Sequence, residues 1–258
     1  MSTYQDSREI ASKVAIATTT FYKDTLADKN RSTLALNLAQ EAKKEGYELI
    51  VVDGGSSDEF LENLRSTGAH LFKENKGGMG VGRRQAIREA LTSQKPVLAW
   101  VEPEKGPYIS QIAKTARPIL MGEADLVVPR RESLDSYPTA QRYGEPLGNT
   151  ALKNLTGLDI DYFFGPKTWH NQMTPYFLNY DGKPYGDLWD SILFPLFNMA
   201  RDNRRIKSID VVYEHPSVQK TDEDNDFSFY VKRIKQLDNL IGNAADYWEK
   251  TKTISPVR

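Results

Sequence analysis

Two carboxylates one residue apart close an unbroken apolar run. Val97, Leu98, Ala99, Trp100 and Val101 are followed by Glu102, Pro103 and Glu104. Proline stiffens the turn between the acids, so both can face one hard cation through oxygen. Such a run reads as a strand buried on both faces, as in a parallel sheet. In open α/β sheets, ligands bind just beyond the carboxyl ends of the strands. An isolated Glu-x-Glu is a solvated acidic loop. Its place after this strand is what points to a metal site.

A second acid ends a second run. Residues 47–52 lead to Asp53, then Gly54, Gly55 and Ser56. The carboxylate can bind a donor group of a base or ribose, and the glycines let a ligand approach the backbone. Asp53 can also be no more than a helix-entry residue. Thr18 and Thr19, with Thr20, close a run at 14–21. Their hydroxyls can line the same cleft, or they serve only as β-formers. Gly77, Gly78, Gly80 and Gly82 lead into Arg83 and Arg84. No Gly-Lys-Ser/Thr follows, so this is not a P-loop. A helix dipole disfavours cations at its start. Two arginines there call for an anion such as a diphosphate, unless one is merely solvated.

These residues need elements to hold them. Strands are expected at 14–21, 47–53, 70–73, 97–101 and 124–129. Helices are expected at 33–44 (capped by Ser32), from Ser57 or Asp58 to Gly68, at 83–91, and at 109–120, where Pro118 kinks or ends the last. Strand and helix alternate with short loops, which argues for a parallel sheet with helices on both faces. Beyond residue 130 the pattern loosens: a helix within 137–155, an aromatic turn or short strand at 161–166, a helix opened by Asp187, a strand at 206–213, and an amphipathic helix at 227–248. That last helix carries Tyr230, Ile234, Leu237, Ile241 and Tyr247 or Trp248 on one side. Residues 1–12 are polar and expected to be a flexible N-terminus, 13–216 one domain, and 217–258 a helical extension packed on the domain or on a partner subunit.

Composition narrows the class. At 258 residues and 39% hydrophobic, the chain can bury one large core. A net charge of −1 gives no basic field for nucleic acid, and no cysteine is present for thiolate zinc sites or thiol catalysis. No run approaches the roughly 18 apolar residues of a membrane span, and the N-terminus lacks a signal-peptide core. The chain is expected to be soluble and cytoplasmic, with no nucleic-acid partner.

Taken together, residues 14–21, 47–58, 80–87 and the strand ending in spaced acids resemble a family 2-type glycosyltransferase with the GT-A fold, over roughly residues 13–130. The resemblance implies a metal-dependent hexosyltransferase. It would move a sugar from a nucleoside diphosphate sugar to an acceptor hydroxyl, a small soluble acceptor being the simpler case, with a homodimer as one possible assembly. By resemblance Asp53 binds the nucleotide base. Gly80, Arg84 and Gln85 belong to the helix that contacts the donor. Glu102 and Glu104 hold Mn2+ or Mg2+ on the diphosphate, and His215 closes the metal site. Phe164 and Gly165 fall in the acceptor-side loop. Asp187 stands where inverting members carry the catalytic base, although it is also placed to cap a helix. The sequence departs from the family in having Glu-x-Glu for Asp-x-Asp, Gln85 for Asn, and Gly186 for the Glu before the base. A nucleotidyltransferase is an alternative, but residues 21–26 lack its glycine-rich loop. A binding protein on a decayed transferase fold is another.

Overall fold

A computed structural model of the chain describes residues 2–23, 25–75 and 77–252. Its first part runs α1 (Ser2–Ala11), β1 (Val14–Thr20), α2 (Leu26–Glu45), β2 (Glu48–Asp53), α3 (Asp58–Ser66), β3 (His70–Lys73), α4 (Met79–Leu91) and β4 (Val97–Trp100). A 3-10 turn, Gly106–Gln111, leads to α5 (Ile112–Leu120) and β5 (Leu126–Arg131). Then come α6 (Thr139–Thr156), β6 (Lys167–His170), α7 (Thr174–Leu178), α8 (Asp190–Arg201), β7 (Ile206–Val211), α9 (Ser217–Asp224) and α10 (Phe227–Lys252).

The strands form one seven-stranded sheet in the order β3-β2-β1-β4-β6-β5-β7. Only β6 runs antiparallel to its neighbours. Side chains alternate between two apolar layers, as a period of two requires. Val14, Ile16, Val97, Ala99 and Val101 face one layer with residues of α2 and α5. Ala15, Ala17, Leu98 and Trp100 face the other with residues of α4, α8 and α10. The expected mostly parallel, doubly covered sheet is therefore present.

The chain leaves β1 toward β2 and β3, then crosses back through α4 to place β4 on the other side of β1. This reversal is a topological switch point, the crevice where such sheets bind ligands. β1, β2 and β4 all end on that edge, and so does β7, because β6 reverses twice between them.

Several boundaries differ from the sequence reading. The segment expected to be a flexible N-terminus holds helix α1 over its described residues, where Ile10 and Ala11 are buried and Asp6 pairs with Arg117 at 2.5 Å; residue 1 lies outside the described residues. A ten-residue amphipathic segment gains its order from packing rather than propensity. Helix α2 opens at a Thr25 cap rather than at Ser32. The 161–166 segment is a turn, and the strand follows it as β6. Helix α10 buries Phe229, Leu240 and Ala244 and packs Leu237, Tyr247 and Trp248 on the body, while Ile234 stays 67% exposed. The C-terminal extension thus lies along α6 of its own chain.

Candidate active site

Asp53 ends β2 with its carboxylate filled. Its Oδ1 accepts the N–H groups of Gly55 and Ser56 at 2.8 Å each, and its Oδ2 accepts the hydroxyls of Thr20 at 2.7 Å and Ser56 at 2.6 Å. Those four bonds match the capacity of a carboxylate. Asp53 therefore shapes the glycine turn and ties it to β1. Phe21, which follows β1, is 53% exposed and lies against Gly54. Thr18 is buried with no hydrogen-bond partner for its hydroxyl among the described residues, and Thr19 is half-buried.

The acids after β4 diverge. Both Glu102 oxygens are buried and accept no hydrogen bond among the described residues. They lie where a side chain at Gly165 would start: a Cβ there would meet Glu102 Oε1 at 1.3 Å. Gly165 is thus the residue that admits Glu102. Glu104 turns the other way, accepts the Tyr22 hydroxyl at 3.3 Å, and has its pKa raised by burial. His215 is buried after β7, stacks on Tyr137 at 4.5 Å, and sits 3.7 Å from Glu223. Among the described residues no three His, Cys, Asp or Glu side chains are grouped to hold a metal. The expected trio of Glu102, Glu104 and His215 shares one sheet edge but is not grouped: Glu104 turns to Tyr22, and His215 lies beside Tyr137 and Glu223 with both ring nitrogens buried and without a hydrogen bond among the described residues.

Arginine is the hub on the α4 side. Arg83 is buried with its guanidinium 4.9 Å from the Trp100 ring. It donates to the Leu188 carbonyl at 2.5 Å and to the Ser191 hydroxyl. Burial lowers it to about 10, against the pull of Glu102 and then Asp187. Arg84 grips Asp187 with two bonds, 2.5 and 2.7 Å, and donates to the Tyr180 carbonyl at 2.9 Å. Gly80 makes room for this pair, since a Cβ there would meet the Asp187 carboxylate at 2.0 Å. Helix α4 begins at Met79 rather than at Arg83, so the two arginines fall in its second turn, and the anion at Arg84 is, in this state, Asp187 of the chain itself. Asp187 does not open a helix: α8 begins at Asp190, three residues on. Gln85 bonds the Lys73 carbonyl at 2.9 Å and the Asn75 N–H at 2.8 Å, fixing α4 to the end of β3.

The chain shares its fold with glucosyl-3-phosphoglycerate synthase. The Mycobacterium tuberculosis enzyme superposes with a TM-score of 0.63 at 14% identity, over 92% of this chain and 84% of that one. Its complex with Mn2+, uridine-diphosphate-glucose and phosphoglyceric acid gives 0.64 at 14% identity, over 92% and 83%. The complex with Mg2+ and uridine-diphosphate gives 0.54 at 14% identity, over 87% and 82%. The likeness bears out the expected GT-A architecture. No protein-family profile matches the sequence, and no curated protein matches it.

Beside the strand ends lies a polar and aromatic block that residue spacing did not reveal. Arg131, on β5, pairs with Asp161 at 2.7 and 2.9 Å and with Glu145 at 2.7 Å, all three buried. Burial would raise Asp161, but the charge and hydrogen bonds of Arg131 outweigh it and hold the carboxyl below its usual range. The Tyr137 and Phe164 rings each have two cations close by: the Arg131 guanidinium at 4.6 and 5.1 Å from the ring centroids and the Lys105 ammonium at 5.7 and 5.2 Å. Phe164 is fully buried in this block, so it is a core ring rather than an acceptor contact. The period of two along β5 was the available signal: Arg130 faces solvent and Arg131 faces inward.

His215 yields a prediction about acid. Burial lowers its pKa from 6.5 to about 3, so the ring is neutral in the fold. The unfolded chain takes up that proton below its free value. Stability from this site is therefore complete above about pH 6.5 and is lost as pH falls toward 3. His215→Gln should flatten the fall in Tm between pH 6.5 and 4. An unchanged slope would show that the ring does not control it.

Proposed function

We propose that the chain transfers a sugar from a nucleoside diphosphate sugar to an acceptor hydroxyl, with a divalent cation. The observation that carries this reading is the Glu102 carboxylate at the switch point, buried without a hydrogen bond among the described residues and set in the field of Arg83, Lys105 and Lys167. A buried carboxylate with no hydrogen bond is costly unless a cation or another partner completes it. Glu102 fits Mn2+ or Mg2+, which take oxygen ligands. Glu104 and His215 do not, so the remaining ligands would be diphosphate oxygens and water. A cation there neutralises charge on the leaving diphosphate. The glucosyl-3-phosphoglycerate synthase structures, whose fold this chain shares, hold Mn2+ or Mg2+ with uridine-diphosphate or its glucose conjugate. That supports a nucleotide-sugar donor, and their phosphoglyceric acid and glycerol 3-phosphate support a small acceptor.

The protein's own groups divide the work. Phe21 offers an exposed ring to a base beside the turn that Asp53 holds. The diphosphate displaces Asp187 from Arg84 and takes the start of α4, where backbone N–H groups and the dipole favour an anion. Among the described residues no helix is long and apolar enough to cross a membrane. The test is a panel of sugar nucleotides incubated with Mn2+ and candidate acceptors. Release of a nucleoside diphosphate without pyrophosphate is expected. Pyrophosphate release would identify a nucleotidyltransferase instead, and no release from any donor would overturn the reading.

A further inference from the structure

An open cleft of about 490 Å3 lies between the start of α4, the start of α8 and one face of α10. That volume is in the range of small-molecule sites, about 300–1,000 Å3. Its wall is largely apolar: Met79, Leu188, Trp189, Val231 and Leu240. Met79 is 57% exposed and Leu188 is 58% exposed, so they present uncovered apolar surface at the mouth of the α4 site.

Two features make the cleft more than a gap. Lys232 and Lys235 stand on its α10 side. Neither ammonium has a hydrogen bond or ion pair among the described residues. Desolvation and then the charges of Arg233 and Arg31 lower the pKa of Lys232, with Glu223 and Glu104 acting the other way. Two lysines without a hydrogen bond or ion pair beside an apolar wall are a place for an anion. At the floor, Asp190 is 7% exposed and opens α8. Its Oδ1 accepts the Asn243 amide at 3.1 Å, which fixes the side chain and leaves capacity for further bonds. Burial raises its pKa, whereas Asp187 three residues earlier is tied to Arg84.

We propose that this cleft is the acceptor subsite, taking a hydroxylated molecule with an apolar body and one anionic group, its hydroxyl hydrogen-bonded to Asp190. The proposal rests on the glycosyltransferase reading for the word acceptor, and on the cleft alone for the chemistry of the ligand. A carboxylate and a phosphate meet the lysines equally. The apolar wall excludes neither but disfavours a bare polyol.

The test uses the full chain without a sugar nucleotide, labelled at the methionine methyl groups. Met79 lines the cleft, and Met121, 65% exposed after α5, is the control. The probes are 4-hydroxybenzoate, 4-hydroxybenzyl alcohol, glycerate and 4-hydroxyphenyl phosphate. The two aromatic anions should move the Met79 resonance and leave Met121 still. They should bind about fivefold or more tightly than the neutral alcohol and about tenfold more tightly than glycerate. Lys232→Glu with Lys235→Glu, both exposed, should abolish the advantage over the alcohol. Asp190→Asn should bind 4-hydroxybenzoate no better than the wild type binds benzoate. Glycerate binding as tightly as the aromatic anions, or binding without a shift at Met79, would overturn the proposal. Binding at Met79 together with a protein that releases no nucleoside diphosphate would uphold the cleft and sink the transferase reading.

Discussion

Arg131→Met should cost the fold about 3–5 kcal/mol, the usual penalty for leaving a buried charge without its partner. Asp161 and Glu145 would both lose their cation inside the protein. The Tyr137 and Phe164 rings would lose one of the two cations that lie over them. For a chain of this size each kcal/mol moves Tm by roughly 2–4 °C, so a fall of about 10 °C is expected. Adding Asp161→Asn and Glu145→Gln should recover part of it, because the acids then no longer need a counter-charge. A Tm within 2 °C or so of wild type, on the same scale, would mean that water already reaches the cluster.

Glu102→Gln should suppress transfer about a hundredfold or more, the scale of losing one electrostatic contact to the reacting group. The fold should survive. The side chain keeps its size, still fits over Gly165, and gives up no hydrogen bond among the described residues. Tm within a few degrees of wild type and a collapsed rate of nucleoside diphosphate release is the combination to look for. Near wild-type turnover would show that Glu102 is a buried structural acid and that catalysis is organised elsewhere.

The sheet was readable because its strands are buried on both faces. Residues 97–101 and 49–52 are continuous apolar runs, and their order with intervening helices leaves few topologies. Strand β6 escaped because Lys167 and Thr168 do not look like a buried strand. Lys167 is buried all the same, lying under the turn it caps and donating to the Phe164 carbonyl, and burial lowers it to about 8. A lysine satisfied by nearby carbonyls carries no mark of that in its sequence.

The candidate site was legible as a set of residues and less so as partnerships. Asp53 and Glu102 stand at the sheet edge where the ends of β2 and β4 place them, and Arg84 comes from the second turn of α4. That Asp53 is filled by Ser56 and Thr20 depends on turn geometry. That Asp187 locks Arg84 depends on residues 103 apart in the chain meeting over Gly80. Proline between Glu102 and Glu104 was expected to aim both acids together. It instead sends one toward Gly165 and the other toward Tyr22. Asp190 was passed over because Asp187 follows a glycine and Asp190 sits within an apolar helix, where acids are buried only with help. Asn243, far along α10, gives that help.

The most direct test of the central claim is a calorimetric titration of the protein with uridine and guanosine diphosphates, with Mn2+ and again in excess chelator. The account predicts that one of them binds with Mn2+, about tenfold or more weakly without it, a loss of about 1.4 kcal/mol. It also predicts that Glu102→Gln removes the metal dependence while leaving the residual affinity. Binding of neither nucleotide, or equal binding with and without the cation, would contradict it.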